Sequence, residues 1–284
     1  MTTDIYVADE TYHFCWIYTS EGTYKTYFGG LGTGDGKFYK PFDIHLYKDE
    51  LYVADYLNRR IQVFDLNGIY QRKWSVKNSS EINTWQPSSL CIYKDEVYVT
   101  TEGHHNVQVF SLLGTFKREW GSYGQLPGQF DYTSGIDIAS KKVYVSDNNN
   151  HRIQIFTTAG EFISSFGSYG SNDGQFKYPY HITNMNNEIY VADYINQRVQ
   201  VFSLKGEFKR KWGQPGAGDG DLKYPQGITA ARGTVFVGNL SPQKIQTFTK
   251  TGVFKRQISQ YMDKPRGIYT EGLSTQHLPI MGIG

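Results

Sequence analysis

The sequence predicts an all-β fold, a six-bladed β-propeller, and three recurring features support this prediction. A pentapeptide represented by Ile189 to Asp193 occurs six times at intervals of 46 residues. A glycine such as Gly206 follows each copy at a constant distance, and a large apolar residue such as Trp212 follows each glycine. A repeat of this length with several short strands is typical of a propeller, because one small sheet buries both of its faces only between identical neighbours.

Each repeat is predicted to form four antiparallel strands, which is one blade. In the fifth repeat, an inner strand covers Pro179 to Thr183, and Ile189 to Ala192 forms the second strand. Arg198 to Phe202 and Glu207 to Trp212 follow as the third and outer strands, in which apolar and polar residues alternate. Gly206 lies between these two strands and supplies the positive φ that a tight hairpin requires.

The two ends of the chain are predicted to complete the same blade. Met1 to Asp4 lead directly into a second strand, whereas Pro265 to Tyr269 form an inner strand with no later strands of their own. The C-terminal strand is therefore expected to complete the N-terminal blade, which closes the ring and removes an open sheet edge. We predict one domain over 1–270, followed by a C-terminal tail over 271–284.

Composition and charge limit the functional classes. The net charge of +2 over 284 residues provides no overall field for nucleic acid or a membrane. No apolar stretch approaches the length of a membrane span, and the first residues lack the basic and apolar regions of a signal peptide. Cys15 and Cys91 lie in different repeats, which predicts neither a disulfide framework nor metal-ligand spacing. We expect a cytoplasmic monomer without a cofactor.

Three repeats combine an aspartate at the end of the second strand with an arginine five residues later. Catalysis requires one site, whereas this pair recurs from blade to blade, so a structural ion pair is the favoured interpretation. An arginine fork can bond a carboxylate bidentately and hold the short loop between them. The pairs are Asp55 with Arg60, Asp147 with Arg152, and Asp193 with Arg198.

The loops between second and third strands are predicted to emerge on one face of the ring, beside the first residues of the inner strands. Their aromatic, basic and amide side chains suit a protein hot spot, and they equally suit stacking and hydrogen bonding of unpaired RNA bases. We expect the ligand-binding face here. Its candidate residues are Tyr56, Arg59, His104, His105, His151, Tyr180, Tyr194 and Arg266.

Two further patterns have structural and functional interpretations. Basic clusters such as Lys209 to Lys211 lie on outer strands, where positive charge discourages pairing between sheet edges. His45 and His181 lie on or beside inner strands near the depth of Asp43, so a metal site in the central channel stays an alternative. Nothing resembles a nucleophile elbow or a metalloprotease helix, and we predict no catalytic residue and no bound metal.

The segment from Ile189 to Phe202 resembles the consensus of the NHL repeat, and the resemblance extends over nearly the whole chain. It implies a six-bladed propeller similar to those of tripartite-motif ubiquitin ligases and related RNA-binding repressors, which bind proteins or single-stranded RNA. A minority of similar rings are enzymes, including the lyase domain that makes peptide amides. We predict a non-enzymatic scaffold that binds a protein partner. The alternatives are a single-stranded RNA-binding propeller and a metal-dependent hydrolase or lyase with its site at the central channel.

Overall fold

The chain folds into six four-stranded antiparallel sheets, which confirms the predicted propeller. The structure, a computed structural model, describes residues 4–76 and 86–270, and the predicted tail over 271–284 lies outside these described residues. The strands are β1 (Ile5–Asp9), β2 (Phe14–Tyr18), β3 (Tyr24–Gly29), β4 (Pro41–Tyr47), β5 (Glu50–Asp55), β6 (Arg60–Asp65), β7 (Tyr70–Ser75), β8 (Pro87–Tyr93), β9 (Glu96–Thr101), β10 (Asn106–Ser111), β11 (Phe116–Trp120), β12 (Thr133–Ala139), β13 (Lys142–Asp147), β14 (Arg152–Thr157), β15 (Phe162–Phe166), β16 (Pro179–Met185), β17 (Glu188–Asp193), β18 (Arg198–Ser203), β19 (Phe208–Trp212), β20 (Pro225–Ala231), β21 (Thr234–Leu240), β22 (Gln243–Thr249), β23 (Phe254–Ile258) and β24 (Pro265–Thr270).

The ring closes through β24, which is the inner strand of the first blade. It pairs antiparallel with β1, with Ile5 opposite Thr270 and Val7 opposite Ile268. It also packs against β4 and β20, the inner strands of the two neighbouring blades. Both ends of the chain therefore build one blade, as the sequence predicts. Among the described residues, no helix has the length and apolar character needed to cross a membrane.

The hydrophobic core lies between adjacent blades. In one of its six clusters, Ala54 and Val63 of the second blade pack against Val97 and Phe110 of the third blade. Each sheet has apolar side chains on both faces, because each face is covered by a neighbour. The core is thus divided into similar layers around the ring.

The repeated glycine and the repeated large apolar residue meet across this interface. Gly114 closes the hairpin of the third blade with a φ of 83°, and a Cβ at this position would lie 2.6 Å from the ring of Trp74 in the second blade. Gly252 has the same relation to Trp212. The glycine therefore serves two purposes, since it permits the turn and gives room for the aromatic ring of the preceding blade.

The repeated ion pair attaches the second strand of a blade to the segment that connects it to the preceding blade. Arg198 Nε donates to Asp193 Oδ2 at 2.8 Å, and its terminal N–H groups donate to the carbonyls of Ser171, Asn172 and Gln175. The expected bidentate contact with the carboxylate is wrong, because the other donors of the fork satisfy loop carbonyls. The equivalent Arg Nε to Asp Oδ2 distances are 2.7 Å for Arg60 with Asp55 and 2.6 Å for Arg152 with Asp147.

Blades without this pair contain other polar contacts at the same place. In the first blade, Asp9 Oδ2 accepts hydrogen bonds from Trp16 Nε1 at 3.1 Å and from the backbone N–H of Asp263, in the preceding segment, at 2.7 Å. In the last blade, Lys244 Nζ donates to the carbonyl of Ala217 at 3.1 Å. The loop is therefore anchored in these blades by different side chains.

Loop histidines connect consecutive blades. His105 Nδ1 accepts the backbone N–H of Tyr132 at 2.9 Å, and His151 Nδ1 accepts that of Tyr178 at 3.3 Å. His13 makes the same kind of bond with the following segment. An accepting Nδ1 carries no proton, so this bond requires a ring that is not protonated. Burial lowers the pKa of all three imidazoles, which favours the same neutral form.

Arg198→Ala is expected to lower the free energy of unfolding by about 3 kcal/mol, because a buried carboxylate and the loop carbonyls lose their donor. Arg198→Lys should lose less, since Lys244 occupies the equivalent place in the last blade. The control is Lys209→Ala, which removes an ion pair whose lysine is exposed and should cost under about 1 kcal/mol. Urea denaturation measures all three variants. Equal losses for the two alanine variants would contradict the anchoring role.

The histidine bonds predict a loss of stability on acidification. Because the pKa of His151 is lowered from 6.5 in the folded state, the unfolded chain binds more protons as the pH falls below that value. The contribution of the neutral His151 to the free energy of unfolding is complete above pH 6.5 and is lost as the pH falls. His151→Gln should therefore differ less from the wild type at about pH 5.5 than at about pH 7.5 in urea midpoint. A difference that is independent of pH would contradict this role.

Candidate functional site

The predicted ligand-binding face has an aromatic centre around one arginine. The carbon at the centre of the Arg266 guanidinium lies 4.2 Å from the ring centroid of Phe42 and 5.4 Å from that of Tyr180. Phe42 stacks on Tyr56 at 3.7 Å, and Tyr180 lies 5.8 Å from Tyr194. The structure therefore brings together four of the eight candidate residues. We call the face on which they lie the loop face.

Two glutamates that the sequence reasoning missed hold this centre in place. Glu10 Oε2 accepts a hydrogen bond from Arg266 Nε at 2.6 Å, and Glu102 accepts one from the hydroxyl of Tyr56. Both glutamates are buried. Burial raises the pKa of Glu102, whereas for Glu10 the effect of burial is outweighed by Arg266 and Lys40, which hold its pKa below 4.5. The sequence contains a signal for this placement, because Glu10 and Glu102 occupy the position of the first and third repeats that Tyr56 occupies in the second repeat.

The other four candidate residues lie elsewhere in the same loops. His105 and His151 use Nδ1 to accept backbone N–H groups, so this atom is already engaged. Arg59 is half-buried and has a φ of 57°. His104 is half-buried in a short 3₁₀-helix, Glu102–His104, where burial lowers its pKa. His105 and His151 therefore contribute to loop structure.

Exposed apolar side chains form an outer rim on the segments that connect the blades. Tyr123 is 68% exposed and Tyr169 is 64% exposed, and Leu31 occupies the equivalent place in an earlier segment. The ring of His105 lies 5.0 Å from that of Tyr123, and the ring of His151 lies 4.9 Å from that of Tyr169. Two predicted ligand residues therefore support the rim tyrosines. Sequence reasoning missed the rim because exposure of a tyrosine depends on the tertiary structure.

A polar cluster lies deeper along the inner strands, inside the channel. His181 Nε2 lies 3.2 Å from Asp43 Oδ2 and 3.0 Å from Ser89 Oγ, and Ser89 Oγ donates to Asp43 Oδ2 at 2.7 Å. His181 Nδ1 lies 3.1 Å from the carbonyl of Ile228, which can only accept. Burial lowers the pKa of His181, but Asp43 outweighs it and raises this pKa above 6.5. The cluster is therefore a buried ion pair with an imidazolium.

This arrangement differs from a nucleophilic triad. A triad requires an aspartate on Nδ1 and a serine on an Nε2 that can accept its proton. Here Asp43 and Ser89 both face Nε2 of His181, and Ser89 is fully buried. A carboxylate and a carbonyl face the two ring nitrogens, so both nitrogens donate. The geometry therefore provides no neutral imidazole that could take the proton of Ser89.

The other titratable groups of the channel have separate partners. Asp137 Oδ2 accepts the backbone and side-chain N–H groups of Asn184 at 2.7 and 2.8 Å, and burial raises its pKa to about 6. His45 lies against the ring of Tyr269 at 4.5 Å, and burial lowers its pKa to about 4. Over residues 4–76 and 86–270, no group of three or more His, Cys, Asp and Glu side chains has a geometry that could hold a metal ion.

Comparisons with known proteins address the fold and the repeat. The NHL repeat family model matches residues 130–156, which include the inner strand of the fourth blade and most of its next two strands. A comparison with curated protein sequences gives no match.

Several solved structures are similar to this chain. A streptogramin B lyase is 18% identical with a TM-score of 0.60, and the match covers 80% of this chain and 70% of that chain. A catalytically inactive virginiamycin B lyase from Staphylococcus aureus with quinupristin is 18% identical with a TM-score of 0.65. The match covers 95% of this chain and 92% of that chain. A nidogen/laminin complex is 12% identical with a TM-score of 0.72. The match covers 94% of this chain and 98% of that chain. At these identities the likeness concerns the fold. The chain is a six-bladed β-propeller, and its residues 130–156 match the NHL repeat model.

Proposed function

We propose that the chain is a non-enzymatic scaffold whose loop face binds a protein partner. The observation that carries this proposal is the exposed rim. Tyr123 and Tyr169 present large side chains to solvent, and each is held by a histidine ring of its own blade. Rigidly held tyrosines provide a large contact area at a low cost in conformational entropy, which is typical of binding hot spots.

The surface charges favour a protein over single-stranded RNA as the ligand. Three arginines of the outer strands form ion pairs within their own blades: Arg72 with Glu50, Arg118 with Glu96, and Arg210 with Glu188. The same arginines donate to carbonyls of the following blade, including that of Leu112. They therefore connect blades around the circumference and do not form a row of free cations that could follow a phosphate backbone.

The channel favours a structural role for its polar residues over a catalytic one. The two similar lyases share the fold with this chain, and their names describe those proteins. In this chain, Asp43, Ser89 and His181 bond to one another in a buried ion pair. A ring that is filled by such contacts is well suited to present its faces as rigid surfaces.

The rim predicts a specific loss of binding. Tyr123→Ser combined with Tyr169→Ser should reduce partner retention by the immobilised ring at least about tenfold and leave the urea midpoint nearly unchanged, because both side chains are exposed. Leu113→Ser is the matched control, since Leu113 is 78% exposed in a hairpin turn on the opposite face. Proteins retained from an extract of the source cells are quantified by mass spectrometry.

The outcome separates the two binding hypotheses. Retention that survives the double tyrosine change, or that falls equally in Leu113→Ser, would contradict the assignment of the rim. A parallel assay uses a randomised single-stranded RNA pool at two salt concentrations. Salt-sensitive retention of RNA by the wild type, lost in the rim variant, would replace the protein partner by RNA.

The channel ion pair predicts a change in stability without a change in binding. Asp43→Asn should lower the free energy of unfolding by about 3 kcal/mol, because the imidazolium of His181 loses its counter-charge. The pKa of Asp43 is lowered from 3.8 and that of His181 is raised from 6.5. The contribution of this ion pair to the free energy of unfolding is therefore complete between pH 3.8 and pH 6.5. It is lost as the pH falls below or rises above that range. Urea denaturation that shows no loss for Asp43→Asn would refute the structural role.

A further inference from the structure

A pocket with basic walls opens on the face opposite the loop face. It has a volume of about 720 Å³ and lies among the turns that join inner and second strands in four consecutive blades. Lys48, Lys94 and Lys141 line it, together with Tyr93 and Asn186. Among its described lining residues there is no aspartate or glutamate. Asp49 and Asp95 follow Lys48 and Lys94 directly in the chain, so the turns around the pocket carry a small net positive charge at one mouth of the channel.

The lysines of this pocket adopt a backbone conformation that lysine rarely adopts. The φ angles are 50° for Lys48, 48° for Lys94 and 62° for Lys141. Asn186 and Asn187 form the equivalent turn in the fifth blade, and asparagine tolerates this conformation much better. Non-glycine residues held in this region cost stability and concentrate at functional sites. The turn geometry thus does not account for lysine in three neighbouring blades.

The positive charge of the pocket is only partly neutralised. Lys48 Nζ pairs with Asp95 Oδ1 at 2.6 Å, and Asp95 also accepts a hydrogen bond from the hydroxyl of Tyr47. Lys94 Nζ lies 5.5 Å from the ring centroid of Tyr93, and within the described part of the chain neither Lys94 nor Lys141 has an ion pair. Two ammonium groups are therefore available to a ligand.

The acid behind the pocket is separated from it by an amide. Asn184 lines the pocket, and its backbone and side-chain N–H groups both donate to Asp137. Burial raises the pKa of Asp137 to about 6, so the group is still mostly ionised at neutral pH. Its Oδ2 atom accepts both N–H groups of Asn184, which therefore stands between this carboxylate and the lysines.

We propose that this pocket binds a small molecule that carries more than one phosphate group. Lysine attracts phosphate as a compact charge, whereas recognition of a carboxylate typically uses the planar fork of arginine. The amides of Asn186 and Asn187 add possible donors at the same wall. The volume is that of a small-molecule site and exceeds what one phosphate ion needs. The site is independent of the loop face and of its partner.

The test is a calorimetric titration of the intact chain with inorganic tripolyphosphate. Lys94→Gln and Lys141→Gln should each weaken binding about tenfold, the effect expected from loss of one charge contact. Glutamine is tolerated in this conformation, since Gln197 has a φ of 54°. Lys205→Gln is the matched control, because this exposed lysine lies in an outer hairpin turn on the same face. It should leave binding unchanged.

A variant with the opposite expected effect sharpens the test. Asp95→Asn removes the carboxylate that neutralises Lys48 and should strengthen tripolyphosphate binding, and asparagine also suits the φ of 61° at Asp95. Absence of binding by the wild type, or an equal loss in Lys205→Gln and Lys94→Gln, would overturn the proposal. Weaker binding by Asp95→Asn would overturn it as well. Thermal unfolding verifies that each variant is folded, and Lys141→Gln replaces Lys94→Gln if that variant is not.

Discussion

Packing between neighbouring blades is the interaction on which the rest of this structure depends. A four-stranded sheet with apolar side chains on both faces has no stable form alone, so each blade requires a neighbour on either side. The contact of a hairpin glycine with a large side chain of the preceding blade, as between Gly114 and Trp74, sets the distance between blades. β24 is essential to this arrangement because it gives the first blade its inner strand and thereby closes the ring.

A closed ring gives its loops a rigid base, and the polar residues of the repeat use that base. Arg198 holds the segment before its blade through three loop carbonyls, and His105 and His151 accept backbone N–H groups from the next segment. The same histidine rings contact Tyr123 and Tyr169. The connections between blades and the exposed tyrosines therefore belong to one structural unit.

The channel separates two faces with different chemistry. The loop face has aromatic side chains around Arg266, whose charge is balanced by Glu10. Asp43 and His181 form an ion pair deeper in the channel. The opposite mouth carries lysines at the two turn positions that Asn186 and Asn187 occupy in the fifth blade, where asparagine is less strained. The proposed protein surface and the proposed anion cavity share no residues, because they lie on opposite faces of the ring.

The sequence by itself determined the six repeats, the four strands of each blade and the closing strand, because these follow from periodicity and from contacts within one repeat. It also indicated the pairing of Arg198 with Asp193 and the common face of Tyr56 and Arg266. Only the tertiary structure decided that Glu102 joins this face and that His181 meets Asp43, which is 138 residues away. Such contacts join side chains of different blades. Their partners are set by the curvature of the ring and the direction of each inner-strand side chain, which no local pattern specifies.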